Sequence, residues 1–254
     1  MKRIRVILVL FAIGSLAFLT GCKNLCTTSE VSEASEIIDL NHGKSTPLSF
    51  VFDFEKGACY NHPLMAVWAE DANGKYIETF FVSQSIGKGV FNKVTGGGEK
   101  WLPGPARRPA ALPYWAHKRG VVESDGLYIP TPETAMSDAI SGATPEKNFR
   151  LIAIPVTPNF PRIFHLLLEI NQSWDWNNYW TNSKYSDEPE YKTSSQTSVV
   201  YSVFINMDNA TVNYYLNPIG HGHYSGKTGE LFTDLSTLTT ALKIAKRITV
   251  TVRK

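Results

Sequence analysis

The sequence predicts a mainly β protein: a β-sandwich with one C-terminal helix and a long irregular Pro/Gly-rich insertion. Three observations carry this. Phe50, Phe52 and Phe54 alternate with Val51, Asp53 and Glu55, the period of a half-buried strand. Asn73-Gly74 separates two β-rich runs, the strongest short-range hairpin signal. Further β-rich runs are joined by short turns, with a single helical repeat near the C-terminus.

Taken in order, the first strand begins near Leu48 and the second is Leu64 to Glu70. The third is Lys75 to Ser83, reached through a type I′ turn that needs positive φ at both Asn73 and Gly74. Ile86 to Pro132 lacks clear periodicity and holds Gly96-Gly97-Gly98, Pro103, Pro105, Pro109 and Pro113. It reads as an extended loop packed over one sheet edge, with Trp101, Tyr114 and Trp115 covering apolar surface. Phe149 to Val156 and Arg162 to Ile170 are two more strands. Ser198 to Asn206 and Thr211 to Leu216 read as a pair linked by Met207-Asp208-Asn209. Leu235, Leu238, Leu242 and Ala245 recur at helical spacing after Thr233 or Asp234 as a cap. Ile248, Val250 and Val252 then alternate with threonines in a final strand. The whole is the pattern of an immunoglobulin-like β-sandwich.

The N-terminus sets the domain boundaries. Lys2, Arg3 and Arg5 precede an apolar run from Ile7 to Leu19 that is short for a membrane span. Leu19-Thr20-Gly21-Cys22 follows and resembles the lipobox of bacterial lipoproteins. That resemblance implies cleavage of residues 1–21, diacylglycerol attachment at Cys22, and handling by lipoprotein processing and sorting machinery. Lys23 in the next position implies outer-membrane sorting, facing the periplasm or the cell surface. Residues 22–46 are rich in Ser, Thr and Glu and read as a flexible tether, leaving 47–254 as one domain.

Composition narrows the functions. Hydrophobic content of 43% with 12% aromatic supports a folded core. Of 25 Lys and Arg against 23 Asp and Glu, three basic residues lie in the leader, so the remainder is near neutral and lacks the basic excess of a nucleic-acid binder. Cys26 and Cys59 either pair in the oxidising compartment, or Cys59 is a buried thiol and Cys26 idle. There is no Gly-x-Ser-x-Gly elbow, no His-Glu-x-x-His and no phosphate-binding glycine loop, so no catalytic residue is assigned.

Three constellations are candidates for binding. Trp174, Asp175, Trp176 and Trp180 combine ring faces with polar groups, as a carbohydrate-binding module does; the same residues also suit a loop sealing the end of a sandwich. His221 and His223 could share a metal, with His165 and Glu169 as contributors, or sit in a plain loop. Asp187, Glu188 and Glu190 lack the spacing of a calcium loop.

The third constellation is Asp138-Ala139-Ile140-Ser141-Gly142-Ala143-Thr144, which resembles the site where flavin transferases attach FMN to exported redox proteins. The resemblance implies Thr144 as the attachment point, with Asp138, Ser141 and Gly142 in the motif, and a flavin transferase and a redox membrane partner as partners. Pro145-Glu146 departs from that pattern, and the segment also suits a turn in which Asp138 and Ser141 bond to backbone. Met65-Ala66-Val67-Trp68-Ala69-Glu70-Asp71 with Asn73-Gly74-Lys75, together with Asp138 to Pro145, is similar to the predicted periplasmic family known as domain of unknown function 2271. That family implies an exported β-rich domain and no activity. The expected function is thus an envelope lipoprotein that binds a partner or is structural, the alternatives being a flavinylated electron carrier with covalent FMN and a carbohydrate-binding module.

Overall fold

A computed structural model describes residues 26, 35–40, 48–95, 102–209 and 213–254. Cys22 and the lipobox, Trp101, and the start of the Thr211 to Leu216 segment lie outside the described residues.

The alternation at Phe50 to Phe54 places all three rings inside, on β2 (Ser49–Lys56). In chain order the other strands are β1 (Glu36–Asp39), β3 (Leu64–Asp71), β4 (Tyr76–Ser83), β5 (Val90–Thr95), β6 (Leu102–Pro105), β7 (Ser141–Gly142), β8 (Phe149–Ala153), β9 (Ile163–Asn171), β10 (Val199–Asn206), β11 (Asn213–Tyr215), β12 (Asn217–His221) and β13 (Ala245–Arg253). Three short helices, α1 (Gln84–Lys88), α2 (Pro113–Arg119) and α3 (Pro189–Ser194), complete the described elements with one 3-10 turn. A five-stranded sheet runs β1-β8-β2-β13-β11 and a six-stranded sheet runs β12-β10-β9-β3-β4-β7. The inner faces pack into a core in which Phe50 contacts Phe80, Phe160 and Phe164, with centroids 5.4–5.5 Å apart. Mainly β, in sandwich layers, is therefore the fold.

β3 is buried along both faces, and the reason corrects the reading of the insertion. Met65, Val67 and Ala69 enter the sandwich core, while Leu64, Ala66 and Trp68 enter a second core with Ile86, Leu112 and Trp115. Ile86 to Pro132 is thus neither wholly irregular nor an edge cover. It forms α1, the β5–β6 ribbon and α2, and lies as a third layer over the outer face of the six-stranded sheet. Polar anchors fix it: Trp115 Nε1 donates to Thr79 Oγ1 (2.9 Å), and Lys118 pairs with Glu70 (3.1 Å). A strand with an apolar layer on each side reads as a continuous apolar run, as Leu64 to Ala69 does.

Four other expectations are corrected. The β3–β4 turn has positive φ only at Gly74 (+79°); the Gly74 amide donates to Asp71 O and the Asp71 amide to Lys75 O. It is a three-residue turn closed by a glycine bulge, with Asp71 Oδ1 accepting from the Asn73 and Lys75 amides. Gly74→Ala is expected to cost about 1 kcal/mol by urea unfolding, and Asn73→Ala less, because only position 74 needs the left-handed region.

Residues 235–245 form no α-helix: Ala241–Lys243 is a 3-10 turn and Ala245 already begins β13. The threonines spend their groups outward instead. Thr237 O and Thr237 Oγ1 accept from Asn177 Nδ2 and Trp180 Nε1, and the Thr239 amide donates to Gln196 Oε1. Next, β10 and β11 are not partners: β10 pairs β9 and β12, whereas β11 pairs β13 in the other sheet.

The expected tether, finally, is built into the domain at two points. β1 pairs in parallel with β8, putting Ile38 against the core. Cys26 is disulfide-bonded to Cys59 across 33 residues.

Candidate functional site

Strand direction gathers the candidate residues at one end of the sandwich. β2, β9 and β12 finish there, and β3, β8, β10 and β13 start there, as Leu64↔Asn171, Val199↔His221 and Phe54↔Phe149 show. The loops at this end are 57–63, 142–148, 172–198 and 222–244. They carry the Cys26–Cys59 bridge, Thr144, the tryptophan loop and His223. The Asn61 amide donates to Gln172 Oε1 (2.8 Å), which joins the bridge loop to the tryptophan loop.

The tryptophan set divides. Trp180 is only 5% exposed and bonds through Nε1 to Thr237, and Asp175 is 1% exposed and accepts from Thr240 Oγ1. Both are structural. Asn177 Oδ1 accepts from the Tyr179 and Trp180 amides, which turns the chain so that Trp180 goes in and its neighbours stay out. Trp174 (52% exposed), Trp176 (40%) and Tyr179 (52%) are outside, and Lys184 Nζ sits 3.1 Å from the Tyr179 ring centroid. Beneath them Tyr185 stacks on Tyr224 (3.9 Å) and Tyr224 on His223 (4.4 Å). Sequence reasoning missed Tyr185, Tyr191 and Tyr224, which are scattered along the chain and meet only through this loop packing.

The two histidines both lie against the Phe232 ring. His221 is buried and stacked on Phe232 (5.3 Å), with Nδ1 2.8 Å from Gly222 O. His223 is half-buried, its Nδ1 accepts from the Ser225 amide (3.2 Å), and burial holds its pKa below the usual histidine range. His165 packs on Phe204 (5.2 Å), with Glu70 opposite it on β3, toward the far end of the sheet. Glu188 pairs with Lys227. Among the described residues no three His, Cys, Asp or Glu side chains are grouped to hold a metal ion.

Glu169 is the unusual ionisable group. It is fully buried between the six-stranded sheet and α2, accepting from the Trp115 amide (2.7 Å), the Tyr114 amide (3.2 Å) and Ser198 Oγ (2.5 Å). Burial pushes its pKa up to about 7, against the three hydrogen bonds that favour the carboxylate. With no open face toward solvent, it fastens α2 to the sheet rather than facing a substrate.

Thr144 follows the short edge strand β7, which pairs in parallel with β4. Its hydroxyl is 2.8 Å from Ser83 Oγ, and Pro145 O accepts from Tyr60 Oη (2.5 Å). Asp138 is exposed and pairs with Lys88 (2.7 Å) rather than with backbone. Ser141 is buried, and a Cβ at Gly142 would meet the Phe81 ring at 3.1 Å. The segment is a turn leading into an edge strand packed on β4. Comparison with protein-family models, curated proteins and solved structures finds no match for this chain.

Proposed function

We propose that this protein is a lipid-anchored envelope protein, acylated at Cys22 and sorted to the outer membrane, whose sandwich works by binding rather than catalysis. The observation that carries the reading is the Cys26–Cys59 bridge. Structural disulfides persist in oxidising, extracytoplasmic compartments, so the bridge and the lipobox point the same way. The binding surface in this reading is the exposed aromatic end, Trp174, Trp176 and Tyr179. Flavinylation of Thr144 has weaker support. A transferase must take the hydroxyl into its own active site, whereas this one is bonded to Ser83 beside a held Pro145.

Expressed with its own leader in a bacterial host, the chain is expected to fractionate with membranes and to carry a diacylglyceryl mass on an N-terminal Cys22 peptide. Cys22→Ser is expected to lose that mass and remain unprocessed. An unmodified Cys22 peptide in the wild type would rule the anchor out.

A further inference from the structure

We infer that the aromatic end of the sandwich lies on the bilayer that carries the anchor, with Trp174, Trp176 and Tyr179 in the headgroup region. This rests on acylation at Cys22 and deepens the binding reading by naming the surface bound.

Three residues, Lys23, Asn24 and Leu25, separate Cys22 from Cys26. Four peptide links span at most about 14 Å, and the bridge adds a Cα–Cα step of 4.5 Å, so Cys59 lies within about 19 Å of the acylated cysteine. Without the bridge the first tie among the described residues is β1 at Glu36, on a leash of up to about 50 Å. The disulfide therefore replaces a long tether with a short one, and it does so at a chosen end of the molecule.

That end displays a cluster of exposed rings within one loop. Gln172 is bonded to the bridge loop through the Asn61 amide, and Trp174 is two residues further on. Trp174, Trp176 and Tyr179 are each 40% exposed or more, although buried rings are available to seal the core. Tryptophan and tyrosine favour the boundary between hydrocarbon and water, where an apolar ring and a polar edge are both satisfied. Lys184 over Tyr179 adds a cation at the same place, suited to anionic headgroups. A soluble glycan would also stack on such rings, but the short leash holds this end against lipid, where a polymer has poor access.

The test uses the full acylated protein, purified in detergent and reconstituted into phosphatidylethanolamine/phosphatidylglycerol vesicles containing phosphatidylcholine brominated near the headgroup end of its chains. Quenching of tryptophan fluorescence is expected, falling at least twofold in Trp174→Phe/Trp176→Phe and by a similar factor in Cys26→Ser. Both tryptophan changes are on the surface, so loss of quenching there is not loss of fold. Acylated protein without quenching overturns the orientation while the anchor stands. Absence of the acyl mass overturns anchor and orientation together. Unchanged quenching in Cys26→Ser overturns the role given to the bridge. Retardation on polysaccharide gels that is lost on Trp176→Ala, with no quenching in vesicles, assigns the end to a glycan and also overturns the inference.

Discussion

Raising the pH from 4 to 8 is expected to remove about 3 kcal/mol of folding stability through Glu169 alone, since each unit between the ordinary carboxylate value and about 7 is worth about 1.4 kcal/mol. The sign follows from which state holds the proton. The folded value is raised, so between roughly pH 4.5 and 7 the native protein keeps a proton that the unfolded chain has lost. The contribution is fully present below the unfolded value, is lost as pH rises through the folded value, and is flat above it. Glu78 and Glu190 are also shifted upward by burial and add to the same slope, while His223, whose pKa burial lowers, opposes it.

The measurement is therefore a difference: urea unfolding of the wild type and of Glu169→Gln at both pH values. The amide copies the protonated acid. Its oxygen can accept from the Trp115 amide and its nitrogen can donate to Ser198 Oγ. The variant is expected to lose most of the slope and to exceed the wild type at pH 8. Equal slopes in the two proteins would show that Glu169 does not titrate in this window. Glu169→Ala should be weaker than both at either pH by about 3 kcal/mol or more, because it leaves three buried donors without an acceptor.

Which parts of this molecule were legible in its sequence follows from how local their causes are. Period-two alternation at Phe50 to Phe54 and at Ile248 to Val252 reports one buried face, and β2 and β13 lie where it places them. The third layer is different. Leu112 and Trp115 are buried by a sheet distant in sequence, and α2 is too short to display a helical period. The 235–245 segment shows the reverse failure. Leu235, Leu238 and Leu242 have helical spacing, but the intervening threonines bond to Asn177, Trp180 and Gln196, partners far away in the chain. The same holds at the candidate site. Four residues within seven positions were split at Asn177, whose carboxamide oxygen turns Trp180 inward and leaves Trp174 and Trp176 outside. The Glu169 environment required α2, β9 and β10 together, so an isolated acid in an apolar strand was its only trace in the sequence.

Reducing the Cys26–Cys59 bridge is expected to lower stability by about 3–4 kcal/mol, the chain-entropy value for a closed loop of this size. For a domain of about 200 residues that corresponds to a fall in Tm of roughly 6–16 °C. Two features of the fold keep the loss near that figure. Cys59 is buried, and its amide donates to Lys243 O, so the 57–63 loop keeps its attachment to the segment before β13 when the sulfurs part. β1 is the edge strand of its sheet and pairs only with β8, so it is the element whose retention depends most on the closed loop. Loss of the bridge should therefore show first as faster amide exchange at Glu36 and Leu40, whose amides donate to Asn148 O and Ile152 O, and only weakly in β2 or β13. Cys26→Ser and the reduced wild type should agree in thermal unfolding, since both open the same loop. A variant that matches the oxidised wild type in Tm, with β1 still protected, would mean that strand pairing alone holds the N-terminal segment. The anchor would then reach the sandwich through β1, on the longer leash, rather than through sulfur.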